Sequence, residues 1–144
     1  MEQFPIADAI ALAVAPIFLL AGIGGLLNVM TARLGRVVDR ARFIEGAFEA
    51  GVGDDVQRRY REELKALSAR TISANRAIYA TTSSALLVCI VVALLFLQQL
   101  TPLDVVLAVE VMFVATMGLL ILGLGFFLHE ISVATRSLKV RTDL

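Results

Sequence analysis

The sequence predicts an all-α membrane protein with three transmembrane helices, the first two extended into a cytoplasmic antiparallel helical hairpin. Three observations predict it. The 144 residues are 58% hydrophobic and 18% charged, against roughly 45–50% and about 25% in ordinary globular chains. The apolar residues gather into three long runs with few or no charges. The cations gather between the first two runs and after the third. The length allows one membrane domain, residues 1–144.

The first run holds 24 uncharged residues (9–32), between Asp8 and Arg33. A bilayer core of about 30 Å needs about 20 helical residues, so a span is expected over about 9–32. Helix is the expected form because lipid offers backbone groups no partners. The flank Met1-Glu2-Gln3-Phe4-Pro5 is acidic where a secretory signal is basic, which favours a span over a cleaved leader. Pro16 in mid-run should kink the helix or free a carbonyl. Gly22-Ile23-Gly24-Gly25 lacks the lysine and the spacing of a nucleotide loop. The small residues Ala7, Ala11, Ala15, Ala21 and Gly25 instead suggest close helix approach.

Beyond Arg33 the pattern changes. Leu34, Val37, Ala41, Ile44 and Phe48 recur at intervals of 3, 4, 3 and 4. Gly46, Gly51 and Gly53 then signal a turn, and Asp54-Asp55 suits a helix start. Tyr60, Leu64, Leu67, Thr71, Ala74 and Ile78 follow at 4, 3, 4, 3 and 4. Both are seams of heptad type, with Arg36, Arg40, Arg58, Arg59, Glu62, Glu63 and Lys65 on the other faces. A hairpin over about 33–76 is expected, either as a stiff spacer or as a partner-binding or gating element.

The second run, 27 residues (77–103), lies between Arg76 and Asp104 and predicts a span over about 77–100. Thr81-Thr82-Ser83-Ser84 sits at a depth similar to Asn28, which suggests interhelical hydrogen bonding or a wet path. Cys89, the single cysteine, excludes an internal disulfide and suits packing. The third span is expected over about 105–128, interrupted by Glu110. An ionisable residue at depth is a functional candidate, although Glu110 is near enough to the outer interface to reach it. His129-Glu130 resembles the opening of a zinc-protease helix motif, but Val133 stands where the second ligand would be. His129 reads as an interfacial anchor, with a metal or haem site shared across protomers and a pH sensor as alternatives.

Charge sets the orientation. Of the 13 Lys and Arg, ten lie between Arg33 and Arg76, and the others are Arg136, Lys139 and Arg141. The positive-inside rule puts the 31–80 segment and the tail, residues 129–144, in the cytoplasm and the amino terminus outside. A net charge of zero removes the case for a nucleic-acid binder. A lone histidine excludes a multi-histidine metal centre within one protomer. No catalytic, cofactor-binding or metal residue is assigned.

The stretch Ala15-Pro16-Ile17-Phe18-Leu19-Leu20-Ala21-Gly22 and the block from Leu26 through Asn28 to Arg42 resemble the bacterial family known as domain of unknown function 2721. Arg70-Thr71-Ile72, Asn75-Arg76-Ala77-Ile78 and Phe127-Leu128-His129-Glu130-Ile131 fit the same pattern. The resemblance covers nearly the whole chain. It implies a small bacterial membrane protein with no catalytic motif to carry over, and the expected location is the cytoplasmic (inner) membrane.

One stripe on the first helix has transport logic: Asp8, Leu12, Ala15, Leu19, Gly22, Leu26, Val29, Arg33, Arg36 and Arg40. Around a symmetry axis it would form an acidic outer ring, an apolar constriction and a basic inner vestibule. The expected function is therefore a homo-oligomeric ion channel lined by the first helix. The alternative is a non-enzymatic scaffold or accessory subunit that binds partners through the hairpin. An intramembrane enzyme lacks a nucleophile–base pair, a metal set and a cofactor motif. The expected partners are the lipid bilayer, further copies of the chain and a protein at the hairpin.

Overall fold

In a computed structural model, the backbone is described for residues 6–100 and 105–139, and the side chains for residues 11, 14–98 and 105–132. The described chain is three helices in the order α1 (Ile6–Glu49), α2 (Asp54–Leu100) and α3 (Val106–Lys139). At a rise of 1.5 Å per residue, the 44, 47 and 34 residues extend roughly 66, 70 and 51 Å. The hydrocarbon core is about 30 Å thick, so all three helices overhang it, α1 and α2 the most.

Each helix is long and apolar enough to cross a membrane. The apolar surface mostly faces outward. Phe18 is 74% exposed, Leu107 73% and Ile121 71%. Water would not tolerate such a surface on an isolated chain, and lipid does. α1 stays helical through Pro16.

The connection from α1 to α2 occupies residues 50–53. Gly51 has φ +78°, a left-handed conformation suited to a residue just past a helix end. The Ala50 amide donates to the Gly46 carbonyl at 3.1 Å, and the Gly51 amide to that of Phe48 at 3.2 Å. Gly46 thus belongs to α1 rather than to the turn. Asp54 and Asp55 lie in the first turn of α2, where the helix dipole favours acids. No neighbour would meet a side chain at Gly51, so backbone conformation alone opposes one. Gly51→Ala should destabilise the protein by about 1–2 kcal/mol, read as a shift in the denaturation midpoint in mild detergent.

α2 then runs back along α1. Val37, Ile44 and Leu67 form a buried cluster, with Ala41, Phe48, Tyr60 and Leu64 packed against it. Phe48 and Tyr60 meet edge to face, with centroids 6.1 Å apart. Arg40 donates to both oxygens of Glu63, at 2.7 and 3.1 Å. This hydrogen bond holds the Arg40 guanidinium above its ordinary pKa. The pair is solvent-exposed, so its contribution to stability is small.

The buried residues continue as heptads into the apolar part of the chain. On α1 they are Ile23, Met30, Val37 and Ile44. On α2 they are Leu67, Ala74, Thr81 and Val88, interleaved with Ala77, Ser84 and Val91. On α3, Thr116, Gly123 and Glu130 repeat the interval of seven. α2 lies between its neighbours, and its innermost positions are small or hydroxyl-bearing. The hydroxyls are satisfied locally. Ser84 donates to the Thr81 carbonyl at 2.7 Å and Thr116 to the Met112 carbonyl at 2.8 Å. The Thr81 hydroxyl faces the Met30 sulfur at 3.7 Å.

Candidate functional site

The inner line of α3 ends in a carboxylate. Glu130 is 3% exposed. Its Oε1 accepts from Arg70 Nη2 at 3.0 Å and from Arg70 Nε at 3.3 Å. Its Oε2 lies 3.4 Å from Arg33 Nη2. Arg33 comes from α1 and Arg70 from α2, so one carboxylate joins all three helices. The Arg33 guanidinium also lies over the Phe127 ring, 5.6 Å from its centroid. That placement suits a planar cation with one face on an aromatic and an edge on an acid.

The local sequence explains the geometry. Residues 111–128 of α3 are uncharged, and Glu130 follows within one turn. Its interval of seven from Gly123 and fourteen from Thr116 puts it on the buried line. Arg33 is the first charge after the apolar run of α1. The three groups meet where the greasy segments end. The arginine side chains are about a quarter exposed, at 27% for Arg33 and 26% for Arg70, while Glu130 is enclosed.

Two turns deeper, Gly123 sets the spacing of α2 and α3. A Cβ there would collide with the Thr81 hydroxyl, and would lie 3.2 Å from the Thr81 amide nitrogen and 3.3 Å from the Ala77 carbonyl oxygen. Only a hydrogen fits between these backbones.

The other sequence-predicted residues lie apart from this centre. Of the stripe on α1, the side chains of Asp8 and Leu12 lie outside the described residues. Ala15, Gly22, Val29, Arg36 and Arg40 are exposed, and Leu19, Leu26 and Arg33 are half-buried. The stripe thus flanks the buried line Ile23–Met30–Val37 rather than coinciding with it. Asn28 is exposed, and the hydroxyl across from α1 is Thr81, which faces Met30 instead. The expected Asn28 pairing with the 81–84 hydroxyls is not made. The packing expected of Cys89 is also absent within the chain, because its thiol is exposed. So are Gly22, Gly24 and Gly25, where an added Cβ would meet nothing. Within the chain, close backbone approach occurs at Gly123. Glu110 and His129 are exposed. The described residues hold no group of three or more His, Cys, Asp or Glu placed to bind a metal. The 101–104 connection, Arg136, Lys139 and Arg141 lie outside the described side chains.

Sequence reasoning met Glu130 and Arg70 only as fragments of motifs. The heptad interval shared by Thr116, Gly123 and Glu130 was the available signal.

These features define a multi-pass, all-helical membrane protein whose helices share one buried acid. Residues 13–140 match the family described as "Protein of unknown function (DUF2721)", and the chain belongs to that family. No curated protein and no solved structure matches it.

Proposed function

We propose that the chain is a non-enzymatic scaffold or accessory subunit of the bacterial cytoplasmic membrane, with its amino terminus outside and its carboxyl terminus in the cytoplasm. In this reading the paired arms of α1 and α2 form a cytoplasmic helical hairpin that docks a protein partner, and the spans self-associate. One observation carries it. Beyond the apolar segments, α1 and α2 pack on a core of their own, Val37, Ile44 and Leu67, while Arg42, Arg58, Arg59 and Arg61 stay exposed. A rigid element with a charged exterior presents a surface; a passive connector needs no core. Glu130 fixes that element to the spans.

Replacing Arg58 and Arg59 by Glu leaves the packed core in place and reverses the outer charge. The expected result is that a partner recovered with the native protein from solubilised membranes is lost, since like charges across an interface cost several kcal/mol. Unchanged recovery refutes docking at this face.

A channel lined by α1 is the second reading. It is favoured by the exposed small residues Ala15, Gly22 and Gly25, an unfilled face that a second copy would pack and lipid would not. It ranks lower because Arg33, the intended inner ring, is turned toward Glu130. It predicts conductance in planar bilayers that changes with Asp8→Ala or Arg33→Ala. A strictly monomeric protein in lipid nanodiscs eliminates it.

A further inference from the structure

A cleft of about 340 Å³ opens between α1 and α2 just beyond the apolar segments. Its charged lining is Arg33, Arg36, Arg40, Glu63 and Arg70. Four guanidinium groups face two carboxylates, Glu63 on the wall and Glu130 behind Arg33 and Arg70. The formal excess is two positive charges. Among the described residues, Arg36 pairs with no carboxylate. The cation of Arg40 also rests on the Phe43 ring, 5.2 Å from its centroid. The cleft is therefore a preformed set of guanidinium donors with unused capacity, and that chemistry suits a phosphate, whose several oxygens can accept from more than one guanidinium at once.

Depth selects the occupant. Arg33 is the first charge after the apolar run 9–32, and Arg40 lies about 10 Å further along α1 at 1.5 Å per residue. A bilayer of about 40–45 Å has a hydrocarbon core of about 30 Å, so a headgroup layer about 5–7 Å deep covers the helix from Arg33 past Arg36, and Arg40 sits at its aqueous edge, within reach of a headgroup phosphate through its long side chain. Basic pockets between helices at that level attract anionic headgroups.

We propose that the Arg33–Arg36–Arg40–Arg70 cleft binds the phosphate of an anionic phospholipid headgroup. Arg36 and Arg40 supply the free donors, and Arg33 and Arg70, held by Glu130, form the back wall. The assignment rests on the cytoplasmic placement of the arms.

The test uses the full chain, purified in a neutral detergent and supplied with phosphatidylglycerol, phosphatidylcholine or inorganic phosphate alone. Native mass spectrometry counts the molecules retained. The expected result is selective retention of phosphatidylglycerol, weakened about fivefold by Arg36→Gln, as the loss of one membrane-surface cation predicts. Arg40→Gln should do the same. Arg58→Gln removes the same charge from the far arm, outside the cleft lining, and should leave phosphatidylglycerol retention by the purified chain unchanged. Neither cleft variant touches Glu130, and helicity by circular dichroism verifies the fold. Equal losses in Arg36→Gln and Arg58→Gln would show diffuse attraction and overturn the site. Equally tight binding of inorganic phosphate would assign the cleft to a soluble anion and overturn the lipid assignment. Membrane placement is read separately, by reaction of Arg58→Cys, in a Cys89→Ser background, with an impermeant thiol reagent in intact cells. A periplasmic Arg58 would refute the orientation while leaving the binding result standing.

Discussion

Glu130→Ala is expected to destabilise the protein by about 3 kcal/mol, the lower end of the range for removing one partner of a buried ion pair. The lower end applies because Arg33 and Arg70 keep about a quarter of their surface in solvent, which softens the loss. What remains is two guanidinium groups, one on α1 and one on α2, repelling each other across the hole Glu130 leaves. Glu130→Gln keeps the shape and one acceptor oxygen, and should lose less. Replacing Arg33, Glu130 and Arg70 together by leucine should recover most of the stability, because the desolvation of all three charges disappears with them. Denaturant titration in mild detergent, followed by circular dichroism, measures all three. A Glu130→Ala midpoint equal to that of the native protein would mean that the carboxylate does not hold the helices together.

Gly123→Ala is the second large effect. The new methyl meets the Thr81 hydroxyl and presses on the Thr81 amide and the Ala77 carbonyl. Backbone atoms cannot rotate away, so α2 and α3 must separate, at a cost of about 1–3 kcal/mol for an overpacked site. Gly123→Val should cost more. Thr81→Ala in the Gly123→Ala background removes the hydroxyl but not the backbone, so it should restore only part. Gly118 and Gly125 lie on the same helix, and a Cβ at either meets nothing. Gly118→Ala and Gly125→Ala should therefore be neutral or stabilising by up to about 1 kcal/mol, the ordinary helix preference for alanine over glycine. A thermal or chemical denaturation series across the three glycines checks the contrast. Equal responses at all three would refute tight packing at Gly123.

The helices and the membrane character were legible in the sequence because charge is informative at the ends of apolar runs. The packing residues of the arms were legible too. Val37, Ile44 and Leu67 stand out against charged neighbours, so their period reveals the face they share. Inside the spans that contrast vanishes. Ile23 is buried and Ile17 exposed, yet both are isoleucines among apolar neighbours, since lipid and protein interior make similar demands. The inner face of α2 and α3 is marked instead by what is small or polar: Ala77, Thr81, Ser84, Thr116 and Gly123. The 81–84 hydroxyls stand out in the sequence, but as candidate partners of Asn28. Their real arrangement depends on rotation about the helix axis, which one residue changes by 100°. The stripe from Asp8 to Arg40 shows the same difficulty. It has the right period and lies one residue away from the buried line, so its charges stand out in the sequence while Met30 and Ile23 do the packing. Glu130 could be found only by extending the interval of seven from Thr116 and Gly123 past the end of the apolar run.

α1 has no break between Arg33 and Glu49, and α2 none between Asp54 and Arg70. The tip at Gly51 is therefore the free end of a lever whose fulcrum is the acid at position 130. A sideways push on that tip has no joint in which to dissipate. It arrives at the fulcrum as a tilt, some 24 Å away at 1.5 Å per residue, and the third helix, tied there to Arg33 and Arg70 by Glu130 and to Arg33 again by Phe127, must follow or let go.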